Sequence, residues 1–240
     1  MDVTNNIKDL GTPYESIYKN GTEDVFSRNV WDMQKYKDKI YLSAGNASNS
    51  SPSANSGPFP LISFNTKTNQ FEEEIIIEDE QIDTLKIIND KLFIPGYDTV
   101  HKESIGNFYY KDLNSWFKQK NIPEAIHVFD MIYYKNTLFA AIGTPNGAAI
   151  AKSNDFGKNW ELEYFGEDRF YSFLVANDNL FALKKYPSKK DFEQMSKEEL
   201  DNFFYITIYK NGSFKEINST NPIFFKDADI KDNQTLIIKR

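Results

Sequence analysis

Ser153-Asn154-Asp155-Phe156-Gly157-Lys158-Asn159-Trp160 is the stretch that decides the fold. A run of small apolar residues, Gly147 to Ala151, precedes it, and an alternating run, Trp160 to Phe165, follows it. That order reads as strand, tight turn, strand. Asp155 can cap the N–H groups of the turn, Gly157 can take a positive φ, and Trp160 can anchor the returning strand.

A related unit recurs on both sides of the octet: apolar strand, short Asn/Asp-rich turn, apolar strand. Its copies run Val30–Met33 to Ile40–Leu42, Ile82–Leu85 to Leu92–Ile94, Val128–Met131 to Leu138–Ala140, and Phe170–Phe173 to Leu180–Ala182. A fifth, with one residue inserted, runs Phe225–Ala228 to Leu236–Ile238. The anchors Ile40, Leu92, Leu138, Leu180 and Leu236 are 52, 46, 42 and 56 residues apart. Blades of four strands repeat every 40 to 50 residues or so. Outer strand pairs lie between the copies: Leu61–Asn65 with Gln70–Ile76, Phe108–Lys111 with Trp116–Lys118, Ala148–Lys152 with Trp160–Tyr164, and Phe204–Lys210 with Ser213–Ile217.

The octet resembles the Asp-box of sialidase-type (BNR) β-propellers, with Ser153, Asp155, Gly157 and Trp160 at the family's spacing. Asp112 and Trp116 look like an eroded copy. The resemblance implies a folding device on the outer hairpin of a blade, away from the ligand face. The expected fold is therefore all-β: one domain over residues 1–240, a five-bladed β-propeller of four-stranded blades. The blades span about 29–78, 81–122, 126–166, 169–219, and 221–240 plus 12–28. The last is composite, because Tyr14–Gly21 reads like Tyr205–Gly212 and supplies the outer strands that the C-terminus lacks. Pairing the termini closes the ring and hides the sheet edges. Ser196, followed by Glu199, has capping-box spacing and predicts a short helical insertion near 196–202.

Composition narrows the function classes. The 240 residues are 40% hydrophobic, enough for a sizeable core, and carry a net charge of −7 with no basic cluster denser than Lys184-Lys185. An acidic chain lacks the footprint for phosphate backbones, so nucleic acid is not an expected partner. Cysteine is absent, which excludes disulfides and thiol chemistry. Met1 to Leu10 is polar, and no apolar run approaches 18 residues, so neither a signal peptide nor a membrane span is expected. The compartment stays open between cytoplasmic and extracellular, a phage particle included.

Propellers bind ligands where the inner strands begin and where the second and third strands connect. The positions just before the inner strands are Asn29, Gln81, His127 and Arg169; Asn46, Tyr97 and Asp98 lie on the connecting loops. These seven are the candidate ligand-binding residues. Long loops on one face of a rigid ring commonly carry function. Three residues deeper the copies read Asp32, Thr84, Asp130, Ser172 and Asp227. Such side-chain oxygens can tie blades together through backbone N–H groups, or ring a calcium ion in the channel. Beyond that calcium no cofactor is expected.

Sialidase chemistry needs three clustered arginines. The chain has Arg28, Arg169 and Arg240 only, so that mechanism is not expected. Glycosidic cleavage needs paired carboxyls, for which Asp32, Asp130 and Asp227 are the candidates. The leading expectation is glycan or small polar ligand binding without turnover, with Trp31, Tyr97, Phe108 and Tyr171 available to stack on sugar rings. A glycoside hydrolase and a protein-interaction scaffold are the alternatives.

Overall fold

The computed structural model describes residues 7–14, 30–45, 58–97, 106–166, 169–184, 194, 196 and 205–218. Among these residues the fold is all-β, four antiparallel four-stranded sheets each in simple meander order. Sheet one holds β1 (Met33–Tyr36), β2 (Lys39–Leu42), β3 (Phe59–Asn65) and β4 (Gln70–Ile77). Sheet two holds β5 (Lys86–Ile88), β6 (Lys91–Pro95), β7 (Phe108–Asp112) and β8 (Ser115–Gln119). Sheet three holds β9 (His127–Tyr134), β10 (Thr137–Thr144), β11 (Gly147–Ser153) and β12 (Glu161–Gly166). Sheet four holds β13 (Phe170–Ala176), β14 (Asn179–Lys184), β15 (Tyr205–Lys210) and β16 (Ser213–Asn218). The first strands β1, β5, β9 and β13 neighbour one another in turn, a propeller-like arrangement. The predicted fifth blade lies outside the described residues except for 12–14, as does the predicted helix except for Ser196.

Both faces of the central sheets are buried, so their strands read as continuous apolar runs. Side chains alternate across a strand. On β6, Leu92 and Ile94 pack with Tyr41 and Leu61 of sheet one, while Phe93 packs with Met131 and Leu138 of sheet three. On β10, Leu138 and Ala140 face sheet two, while Phe139 and Ala141 pack with Phe173 and Phe214 of sheet four. One strand thus serves two cores.

Ile82–Leu85, expected as strand, is not one. Its donors are spent on sheet one: Ile82 N donates to Ala44 O and Leu85 N to Asp32 Oδ2, at 2.9 and 2.8 Å. β5 therefore starts at Lys86. At Gly45 the chain crosses so close to Gln81 that a Cβ would lie 2.4 Å from its Cα.

The Ser153–Trp160 turn is a closed hydrogen-bond unit. Ser153 Oγ accepts from Gly157 N at 2.8 Å and donates to Asp155 Oδ1 at 2.9 Å. Asp155 also accepts from the backbone and side chain of Asn159, which hold its carboxyl at about 2. Gly157 sits at φ 89 and Trp160 Nε1 donates to its carbonyl at 3.1 Å. The turn also reaches sheet two: Trp160 lies edge-on to Phe108 at 5.8 Å, and Phe156 to Phe93 at 5.6 Å. It closes a hairpin and clamps two sheets at once.

Candidate functional site

The cluster forms where β9 and β13 begin. Phe129 is its floor, 3% exposed. Three segments bring side chains to it. Tyr97, just beyond β6, meets Phe129 edge-on at 5.1 Å; His127 stacks on it at 5.4 Å; Tyr171 of β13 lies at 4.9 Å. The exposed Arg169 places its Cζ 5.8 Å from the same ring. His127 Nδ1 is 3.0 Å from Tyr97 O, so Nδ1 carries the proton and donates to that carbonyl. Gly143 lets the imidazole lie against β10, since a Cβ there would stand 2.5 Å from His127 Cδ2. Among the described residues no carboxylate pairs with Arg169, whose contact there is the Phe129 ring.

Of the predicted residues, Tyr97, His127 and Arg169 come together here. Gln81 is adjacent through its backbone, its carbonyl accepting from Tyr97 N at 3.0 Å, while its side chain donates to Asp83. Asn29, Asn46, Asp98 and Asp227 lie outside the described residues. Phe108, expected as a stacking surface, is instead buried in the core against Phe93 and Trp160. Trp31 is exposed and its Nε1 donates to Gly45 O at 3.1 Å. Phe129 was the missed member. Its place within an apolar strand hid that Tyr97, His127 and Tyr171 pack over its ring.

Asp32 and Asp130 serve as joints between sheets. Asp32 Oδ1 accepts from Met33 N and Oδ2 from Leu85 N of the next sheet, both at 2.8 Å. Asp130 repeats this with Met131 N and with Phe173 N of the next sheet, both at 2.7 Å. Four residues on, Tyr36 OH donates to Asp90 O at 2.9 Å, and Tyr134 OH donates to Asp178 O. The shared Asp-Met-x-x-Tyr pattern was the sequence signal for this joint.

Lys86 adds an ammonium 2.5 Å from Asp130 Oδ1 and 2.7 Å from Oδ2. Burial pushes Asp130 above the ordinary carboxylate range, against the pull of Lys86 and the two N–H groups. These residues do not fit a calcium ion. Asp130's oxygens are already engaged, and a dication beside Lys86 Nζ would meet its charge. Among the described residues no group of three or more His, Asp or Glu could hold a metal.

Two buried acidic centres went unsignalled in the sequence. Glu74 lies between Lys111 and Lys39, at 2.5 and 2.6 Å, and accepts from Ser63 Oγ at 2.6 Å. Burial alone would raise its carboxyl; the two ammoniums and the hydroxyl hold it at about 2 instead. Asp79 is fully buried with no ammonium in contact. Asn107 Nδ2 donates to its two oxygens at 3.0 and 3.1 Å, and Tyr109 OH donates to Oδ2 at 2.7 Å. Burial pushes Asp79 up to about 6, with those donors opposing.

No family model matches the sequence, and neither does any curated protein. Solved structures match by shape. The extracellular domain of BT4673 from B. thetaiotaomicron aligns over 85% of this chain and 24% of its own, at 12% identity and a TM-score of 0.52. The computationally designed Ika8 protein aligns over 79% of this chain and 48% of its own, at 7% identity and TM-score 0.47. The N-terminal domain of Nup159 covers the same shares at 14% identity and TM-score 0.43. This chain thus spans about half the length of the last two and a quarter of the first. At these identities the likeness concerns fold alone. Among the described residues, no helix is long and apolar enough to cross a membrane.

Proposed function

We propose that the chain is a glycan-binding propeller of the Asp-box kind, binding without turnover at the mouth around Phe129. The observation that carries this reading is the convergence of Tyr97, His127, Arg169 and Tyr171, from three segments, on one aromatic floor. Aromatic faces beside a few directed polar groups suit a ring with apolar C–H faces and hydroxyl edges. The hydrolase alternative lacks support here, since Asp32 and Asp130 spend their oxygens on neighbouring sheets. In a glycan-array screen followed by calorimetry on the best hit, Arg169→Ala with His127→Ala should weaken binding by about tenfold or more. The thermal midpoint should hold. An unchanged affinity, or an array with no glycan bound, sinks the reading.

Ring closure by a fifth blade belongs to the same proposal. Two apolar faces at the ends of the series support it. On sheet four, Phe181 and Ile208 form a cluster with Leu174 and Leu183. On sheet one, Tyr41 meets Trp116 of sheet two, so Ile40 and Leu42 fall on the opposite face, paired with Phe64 and Ile62. Leu42, Ile62, Phe181 and Ile208 are all buried, and a fifth blade from 221–240 and 12–28 would account for the burial of both faces. Deleting residues 221–240 should then lower the thermal midpoint and broaden the transition, because propeller-like repeats bury their faces on one another. A deletion with unchanged melting refutes closure.

A further inference from the structure

A cavity of about 590 Å³ opens beside sheet two, between the β5–β6 turn and the Ser153–Trp160 turn. Its lining shares no residue with the mouth around Phe129. The volume falls in the range of small-ligand sites. The cavity is lined by hydrogen-bonding groups that the fold leaves unused. Among the described residues, the amides of Asn89 and Gln119, the Tyr110 hydroxyl and the Lys158 ammonium make no hydrogen bond or ion pair. Asn121, also in the lining, donates from Nδ2 to Gly157 O and Lys158 O at 2.9 Å each, yet its Oδ1 is buried with no donor.

We infer that this cavity is a second ligand site, and that it takes an uncharged, hydroxyl-rich ring such as a glycoside. The donor and acceptor balance sets the class. Lys158 and the amide nitrogens of Asn89 and Gln119 offer donors, whereas the amide oxygens of the same two residues and the Tyr110 hydroxyl offer acceptors. Hydroxyls do both; carboxylates and phosphates only accept. Charge points the same way. Lys91 is neutralised by Asp112 at 2.7 Å, and Asp155 balances Lys158 within the lining, so no net positive field awaits an anion. The apolar contact comes from the rings of Tyr110 and Phe156 in the lining, and Phe117 neighbours the first of them. Phe117 stacks on Tyr110 at 4.8 Å and remains 41% exposed.

The test is NMR titration of the full chain with the methyl glycosides of glucose, galactose and N-acetylglucosamine, read at the side-chain amide signals of Gln119 and Asn121. Inorganic phosphate and glucuronate are the anionic comparisons. It is run in the Arg169→Ala, His127→Ala background, so mouth binding and cavity binding are read apart, and failure of one reading leaves the other standing. A neutral glycoside should shift both amide signals, and Gln119→Ala with Lys158→Ala should weaken it about tenfold with unchanged melting. Three outcomes overturn the inference: no glycoside shifting those signals at millimolar concentration, binding that survives the double substitution, or response to the anions alone.

Discussion

Asp130→Ala should destabilise the fold by about 3–5 kcal/mol, the range for removing one partner of a buried ion pair. The carboxylate is 1% exposed and accepts from Met131 N, Phe173 N and Lys86 Nζ. Its loss orphans the Phe173 donor inside the joint between sheets three and four. It also leaves the Lys86 ammonium, 27% exposed, without its carboxylate. Asp130→Asn should cost less, because one amide oxygen can still accept a backbone N–H. Chemical denaturation across the cycle of Lys86→Met, Asp130→Ala and the double variant separates the contributions. The double variant should lose less than the sum of the singles, since removing the lysine removes the stranded charge. Strict additivity would show that the pair is not coupled. A loss under 1 kcal/mol in Asp130→Ala would show that the joint is not held by this residue.

The repeats carried most of the architecture. Apolar copies around Leu92, Leu138 and Leu180 fell on β6, β10 and β14, and the outer pairs matched β3–β4, β7–β8, β11–β12 and β15–β16 to within two residues. Period and turn chemistry suffice for this, because each four-stranded sheet is local in sequence. Side-chain partners across sheets are not local, and that is where reading stopped. Asp130 and Lys86 are 44 residues apart and nothing in either segment announces the other. Glu74 sits in Glu72-Glu73-Glu74, which looks like a solvated run, yet Lys111 from the next sheet reaches it. Phe108 read as a loop aromatic because its strand begins there, whereas alternation turns it inward against Trp160. Of the polar positions before the inner strands, His127 and Arg169 meet at Phe129, Gln81 turns its side chain to Asp83, and Asn29 lies outside the described residues. Phe129 itself was not legible, because an apolar residue in an apolar strand carries no mark of what packs over it.

Asp79 should make stability fall as pH rises. Its folded carboxyl, pushed up to about 6 from the ordinary 3.8, is raised by burial. A raised group adds stability that is complete below the unfolded value and is lost as pH climbs through the folded one. The gap corresponds to about 3 kcal/mol, lost between roughly pH 4 and pH 7. The groups facing it are few. Tyr109 and Asn107 donate to it, Glu78 opposes its charge, and Lys118 is engaged with Glu78. Glu74 does not compete in this window, since its carboxyl sits at about 2 and its contribution is lost only in stronger acid. Asp79→Asn should flatten the profile at little cost. Asn107 Oδ1 is buried without a partner, so a turned Asn107 amide can accept from the new side chain. The position matters for the mouth as well. Gly96 N donates to Asn107 O at 2.9 Å, and a Cβ on Gly96 would stand 2.4 Å from Asp79 Oδ1. Asp79 therefore packs against Asn107 and Gly96 together, the latter one residue from Tyr97. Denaturation midpoints across that window should fall with pH more steeply in the wild-type chain than in Asp79→Asn, where the raised Asp130 carboxyl still contributes a slope of the same sign. The same slope in both would remove Asp79 as its source.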